Sequence, residues 1–548
     1  MIYVRSFCCF LGLLIIPMIC ACSKSSPQRV TSPGAAPAKL ESELTLDLDN
    51  VVATIDGLCY GVNDELIPQS PLRRLGGNRM TGYNWEINSS SAGADYKHVS
   101  DRWLNKLAGL DEEDDGPAAW ILENLVQHLT ESADSVVTVP MAGYVVADAS
   151  GEPVSRSKTA PSNRWVKVEP TKPGGNFGAP DLGDGKVYVD EQVAWLVSNA
   201  GTADQGGIKY YSLDNEPSIW SDTHPRLHPK KAGYKEVADK AIATADAVLS
   251  VDPGAEIVGP ALYGWNGHVS LQNAPEKNRF NKTHGSFSAY YLWRMQKASE
   301  KSGKRLLHMF DFHWYPEATG GGKRISVGDG GNVVTDQVVE ARLQAPRSLW
   351  DPTYLEDSWI TEKNGGQPIE LIPRMQKIIE DNYPGTRLAI LEYNYGAGHH
   401  ISGGLATADV LGIFGRYGVA ACLWRVREDN VFEKAAFNLY LNYDGEESKF
   451  EKNAIGLPST APPQESIYAA CSEDKKTVTV VLINKQAGSI LNKRIRLKGV
   501  QGVPAARAFR FGPEYSELRQ VAEGLEPSDG GFQIKCPPHT ATLVELKL

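Results

Sequence analysis

Cysteine is nearly missing from the body of this 548-residue chain, since four of its eight cysteines fall within the first 22 positions. The other four, Cys59, Cys422, Cys471 and Cys536, stand far apart with no metal-ligand spacing, which argues against a metal site. Cys59 and Cys422 lie in apolar runs and read equally well as buried thiols or, in an exported protein, as disulfide partners. Positive charge is not in excess either. Lys and Arg number 56 against 66 Asp and Glu, a net charge of −10 with a pI near 5.7. That balance excludes a nucleic-acid partner and suits a neutral polymer. The longest apolar stretch near the start, 7–19, is too short for a comfortable membrane span.

With Arg5 ahead of it, that stretch reads instead as the core of an export signal. It ends in Ile19-Cys20-Ala21-Cys22-Ser23-Lys24, which resembles a bacterial lipoprotein signal-peptidase site. Cys22 would be the lipidated residue, with a plain secretory signal as the alternative. The segment 23–39, rich in Ser, Pro and Ala, reads as a flexible tether. These features imply an exported protein of the bacterial cell envelope, in the periplasm or on the outer membrane. It would touch the membrane only through the lipid on Cys22 and act as a monomer.

From 57 to 448 short strand-like runs alternate with helical patterns. Strands are expected at 58–62, 72–76, 136–146, 208–213, 256–261, 307–313, 388–392 and 420–426. Between them Ala118, Ile121, Leu122, Leu125 and Leu129 share a helical face, as do Tyr234, Val237, Ala238, Ala241, Ala245 and Val248. Eight strands with intervening helices predict an α/β fold, a (β/α)8 barrel with its active site at the strand C-termini. Two long excursions, 147–186 and 329–367, are expected to shape a cleft. The run Asp111-Glu112-Glu113-Asp114-Asp115 reads as a solvated helix approach, with a structural calcium ion as the alternative. Beyond 449 only short strands and turns remain, predicting an all-β sandwich over 449–548 that a strand within 40–56 would join.

Two glutamates stand out. Glu216 closes Tyr210-Tyr211-Ser212-Leu213-Asp214-Asn215-Glu216-Pro217, and Glu392 closes the strand run of Leu388-Ala389-Ile390-Leu391-Glu392-Tyr393-Asn394. Each sits where a buried strand delivers a carboxylate to a barrel mouth. Two such groups, one protonated and one ionised, are the minimal equipment for breaking a glycosidic bond. Glu216 fits the general acid and Glu392 the nucleophile. Asn215 is placed to bond a sugar 2-hydroxyl, and Tyr315 to bond the Glu392 carboxylate. Trp85, Trp350, Trp359 and Trp424 fall beyond strand ends or in the second excursion, where flat rings would bind apolar sugar faces. Asn78, Arg79 and His313 read as support for the carboxylates. Glu86 and Glu317 are acidic rivals off the fourth and seventh strand ends, and rank below the pair.

Several of these stretches together resemble glycoside hydrolase family 44. They include Arg74-Leu75-Gly76-Gly77-Asn78-Arg79 with Tyr83-Asn84-Trp85-Glu86, the Tyr210–Pro217 run with Trp220, and Asp311-Phe312-His313-Trp314-Tyr315-Pro316-Glu317. Leu349-Trp350-Asp351-Pro352, Ile401-Ser402-Gly403-Gly404 and Gly412-Ile413-Phe414-Gly415-Arg416 continue it. The resemblance covers the chain after the tether. It implies a barrel plus sandwich and retaining endo-β-1,4-glucanase activity, often including xyloglucan, with a β-glucan as partner and no cofactor required for catalysis. A xylan- or mannan-cleaving barrel and a non-catalytic glycan-binding lipoprotein are the alternatives.

Overall fold

The computed structural model describes residues 38–63, 66–326, 333–457 and 462–548; Cys22 and the signal lie outside them. Eight parallel strands close into a barrel: β1 (Gly61–Val62), β2 (Leu72–Leu75), β3 (Asp134–Val139), β4 (Tyr210–Leu213), β5 (Glu256–Tyr263), β6 (Met309–His313), β7 (Arg387–Tyr393) and β8 (Ala420–Leu423). The order around the barrel follows the chain, and β8 returns to β1. Leu72, Val136, Tyr210, Val258, Met309, Ala389, Ala420 and Cys422 pack with one another in a cluster of their own. Residues from strands on opposite sides meet only inside a closed barrel, so this cluster is its filled interior. A larger apolar layer joins the outer strand faces to the helices.

Each expected strand contributes to the barrel, with shifted ends. The first begins as a 3-10 turn at Leu58–Tyr60, and only Gly61 and Val62 pair. A side chain at Gly61 would sit 2.5 Å from the Ala421 carbonyl oxygen, so the closure of β1 on β8 requires glycine there. The third run, 136–146, breaks after Val139, because the Asp214 carboxylate accepts from the N–H groups of Met141 and Ala142 and turns the chain. Its remainder, Tyr144–Val146, joins Trp165–Glu169 and Lys186–Tyr188 in a three-stranded sheet. The first excursion is therefore partly sheet rather than open loop. Helix Ala119–Thr130 buries Trp120, Ile121, Asn124, Leu125 and His128, leaving Leu129 exposed, so its inner face is rotated from the expected one.

The sandwich has a four-stranded and a seven-stranded sheet. Ala38–Leu46 pairs in parallel with Ser489–Leu497 in the first, and Val51–Thr54 pairs with Asn453–Ile455 in the second. The N-terminal segment thus supplies one strand to each sheet before the chain enters the barrel. Helix Ile401–Tyr417 is buried from Ile401 through Gly415, as a helix covered on all sides must be. It lies between barrel and sandwich. A side chain at Gly412 would sit 2.3 Å from the Tyr468 ring, and Asp409 accepts from Tyr468 Oη at 2.5 Å and Lys485 Nζ at 2.7 Å. Those bonds cross from helix to sandwich and satisfy a buried charge that would otherwise be costly. All four described cysteines are buried and unpaired.

Candidate active site

The site grows from the ends of β4 and β7. Beyond Leu213, Asp214 and Glu216 both take left-handed backbone conformations, φ 63° and 45°. Asp214 holds this turn: its carboxylate accepts from Thr81 Oγ1 at 2.6 Å, from the Asn215 N–H at 2.7 Å, and from Met141 and Ala142. The Glu216 N–H donates to the Ala261 carbonyl at the end of β5, 3.0 Å away. A strained turn tied at this many points projects its side chain in one direction. Glu392 needs no such turn, because it lies within β7 itself. Asp311 of β6 accepts the Leu391 N–H at 2.9 Å, fixing the strand beside it.

Side chains then join the two carboxylates. Tyr315 Oη donates to Glu392 Oε1 at 2.7 Å, and Arg74 Nη1 donates to Glu392 Oε2 at 3.0 Å. The same guanidinium donates through Nη2 to Asn215 Oδ1 at 2.8 Å, while Asn215 Nδ2 donates to Asn78 Oδ1 at 3.2 Å. His313 lies between the glutamates: Nδ1 is 2.9 Å from Glu216 Oε1 and 3.6 Å from Glu392 Oε2. Its Nε2 faces Asp311 Oδ2 at 3.6 Å, an ion-pair distance longer than a hydrogen bond. One donor atom from each of Glu216, His313 and Glu392 lies within 4.8 Å of the others. This trio is also the one group among the described residues spaced to hold a cation.

Electrostatics separate the members. Burial raises the pKa of Glu216, with the charge of Glu392 adding to that and the His313 hydrogen bond opposing it. For His313 burial works downward, but Glu392, Asp311 and Glu216 outweigh it and push the imidazole up to about 10. Burial and Glu392 together hold the Tyr315 phenol well above its usual range, so it stays a donor.

The carboxylates open on a cleft of about 220 Å³ lined by Tyr263, Trp265, Tyr315, Glu317, Arg324 and Trp359 among others. Trp359 therefore sits where the sequence puts it, in the cleft. Trp424 follows β8, half-buried, with its ring tip 2.6 Å from where a Gly77 side chain would begin, next to Asn78. Three expectations are corrected. Trp85 is wholly buried and packs on Trp195 at 6.2 Å between ring centres, because the turn Trp85–Ile87 points it inward. Trp350 lies instead in a second cavity between barrel and sandwich, under Arg416 at 5.4 Å. Arg79 turns away to Asp101 at 2.6 Å and stacks on Trp103, since the helical turn Asn78–Thr81 rotates it off the barrel mouth. The residue that supports the carboxylates from this segment is Arg74, inside β2. A buried arginine in a strand needs a partner, and that signal was present in the sequence.

Of the acidic rivals, Glu317 pairs with Arg324 at 3.0 Å, and Glu86 is buried away from the pair, with burial pushing its carboxyl up to about 8. The acidic run 111–115 is mostly exposed.

A closed parallel barrel that presents two buried carboxyl groups at the ends of its fourth and seventh strands defines a two-carboxylate glycoside hydrolase. Comparison with known proteins narrows this. The profile of glycoside hydrolase family 44 matches residues 88–318. Endoglucanase A of Paenibacillus lautus is 43% identical over 509 residues, covering 92% of this chain and 72% of that protein. A solved family 44 xyloglucanase from Paenibacillus polymyxa superposes with a TM-score of 0.88 at 40% identity, over 93% of this chain and all of that one. A β-mannanase/endoglucanase A of Caldicellulosiruptor saccharolyticus is 41% identical over 87% of this chain, which spans 37% of that longer protein. The chain belongs to glycoside hydrolase family 44.

Proposed function

We propose that this hydrolase cleaves β-1,4-glucan backbones, xyloglucan among them, internally and with retention of configuration, using Glu216 as acid/base and Glu392 as nucleophile. One observation carries the retaining assignment: oxygens of the two carboxyl groups lie within 4.8 Å of each other. Retaining enzymes hold the pair about 5–5.5 Å apart, whereas a water for direct inversion needs about 6.5–9.5 Å. The carboxylate of Glu392 attacks the anomeric carbon while Glu216 gives its proton to the leaving oxygen. Glu216 then takes a proton from water as that water displaces Glu392. Asn215, oriented by Arg74 and Asn78, bonds the 2-hydroxyl as positive charge develops on the ring. No cofactor enters this scheme.

The glucan assignment is supported by the names of the relatives, endoglucanase and xyloglucanase, the latter also solved with xyloglucan. Internal cleavage is supported by Trp359, whose ring lines the cleft beside the carboxylates as a surface for a further sugar of the chain. A panel of xyloglucan, carboxymethylcellulose, xylan and mannan tests it, with Glu216→Gln as the blank. Reducing ends should rise fastest on the first two. Release from xylan or mannan alone would replace the substrate, and binding without release from any would make the chain a glycan-binding protein. We also propose that the enzyme is monomeric and is held to the cell envelope by lipid on Cys22, supported by the Ile19–Cys22 signal and the tether after it. Cys22→Ser should release it from the membrane fraction or leave an unprocessed precursor; unchanged retention would refute the anchor.

A further inference from the structure

The glycosidase scheme requires a place for the leaving sugar, and the structure holds an unassigned aromatic there. In that scheme Asn215 bonds the sugar whose bond breaks, and Asn215 is itself tied to Arg74 of β2 and to Asn78 just beyond it. The leaving sugar therefore points the other way from Glu216, toward β5. At the end of β5 stands Tyr263, 38% exposed and lining the same cleft as Glu216. Its ring is thus open to the cleft at the mouth of a buried site.

Its position is linked to the acid. The register of β5 against β6 shifts between Gly259 and Leu262, and Ala261 has φ 53°. This bulge carries the strand end outward by the added residue. Two hydrogen bonds then tie it to the Glu216 turn: the Glu216 N–H donates to Ala261 O at 3.0 Å, and the Tyr263 N–H donates to Ser218 Oγ at 3.2 Å. Acid and ring are thus held on one latched unit, so a sugar stacked on the ring is fixed in distance from the proton it must receive.

We propose that Tyr263 is the stacking surface for the first sugar on the leaving-group side, and so a specificity-determining residue of this hydrolase. The inference rests on the glycosidase reading above. Sugars offer apolar C–H faces, and an aromatic ring held against one favours binding and orientation together.

The test compares Tyr263→Ala and Tyr263→Phe with the wild type on xyloglucan and on dinitrophenyl β-cellobioside, whose leaving group is no sugar. Tyr263→Ala should lower kcat/KM on xyloglucan by about tenfold and lower it clearly less on the aryl glycoside, whose departing ring needs no oriented proton. It should also reduce transfer of the glycosyl group to added cellobiose, which must occupy the same place to act as acceptor. Tyr263→Phe, which keeps the ring, should recover most of the xyloglucan rate that Tyr263→Ala loses. Equal losses on both substrates would mean a general disturbance and overturn the proposal, as would an unchanged xyloglucan rate. A wild-type enzyme inactive on both substrates would instead overturn the glycosidase reading itself.

Discussion

Glu216 and Glu392 are equally buried, each 6% exposed, yet the barrel surrounds them differently. Both oxygens of Glu392 are engaged, one by the Tyr315 phenol and one by the Arg74 guanidinium. Glu216 has a single side-chain bond, to His313 at Oε1; its Oε2 has no hydrogen-bond partner among the described residues. Burial alone would treat the two alike. What separates them is where the fixed charge lands: Arg74 reaches across from β2 to the carboxylate of the seventh strand, while on the fourth burial, with the charge of Glu392 adding to it, raises the pKa of Glu216. The proposed division of roles, attack by Glu392 and proton donation by Glu216, rests on this difference.

The largest test of that asymmetry is Glu392→Gln. It removes the attacking oxygen, so turnover should fall by about 10⁴-fold or more on every substrate, whatever the leaving group. Glu216→Gln should behave differently. Natural glucan should slow by about 10²–10⁴-fold, whereas an activated aryl glycoside should still form the glycosyl-enzyme. Added azide should partly rescue this second mutant, because it attacks the intermediate without a general base. If the two mutants showed the same leaving-group dependence, the roles would not be divided as described.

His313 links the two sides, and its removal sharpens the comparison. A hydrogen bond to a charged partner contributes about 1.5–3 kcal/mol, so His313→Ala should lower kcat by about ten- to a hundredfold. The pH profile is the more telling readout. Glu216 must carry its proton to act, so activity falls as pH rises through its pKa. His313 is what lowers that pKa against burial and Glu392. Without it the alkaline limb should move to higher pH, and a downward move would contradict the arrangement. A smaller contrast lies between tryptophans. Trp359→Ala should raise KM on glucan by about tenfold, while Trp350→Phe, in the cavity beside the sandwich, should leave kcat/KM unchanged.

The two catalytic candidates and all eight barrel strands were legible in the sequence because strand hydrophobicity and a terminal polar residue are local signals. What the sequence did not disclose depends on direction rather than composition. Arg74 and Arg79 share one motif, and only the turn at Asn78 decides which of them reaches the carboxylates. Trp85 and Trp359 each open a short helical turn, yet one points into the core and the other into the cleft. Tyr263 lies past a bulge that moves the end of β5 from the expected 261 to 263, out of reach of any alternation pattern. The split of 136–146 came from Asp214, a residue more than seventy positions later that grips the backbone N–H groups there.

The central claim is that a carboxylate pair this close leaves no room for a water to attack first. Proton NMR of the earliest products from a defined cello-oligosaccharide reads it directly. Two successive displacements at one carbon restore its configuration, so the β-anomer should appear first and the α-anomer only as mutarotation proceeds. The α-anomer appearing first would mean a single inversion by water, and Glu392 would then be a base rather than the nucleophile.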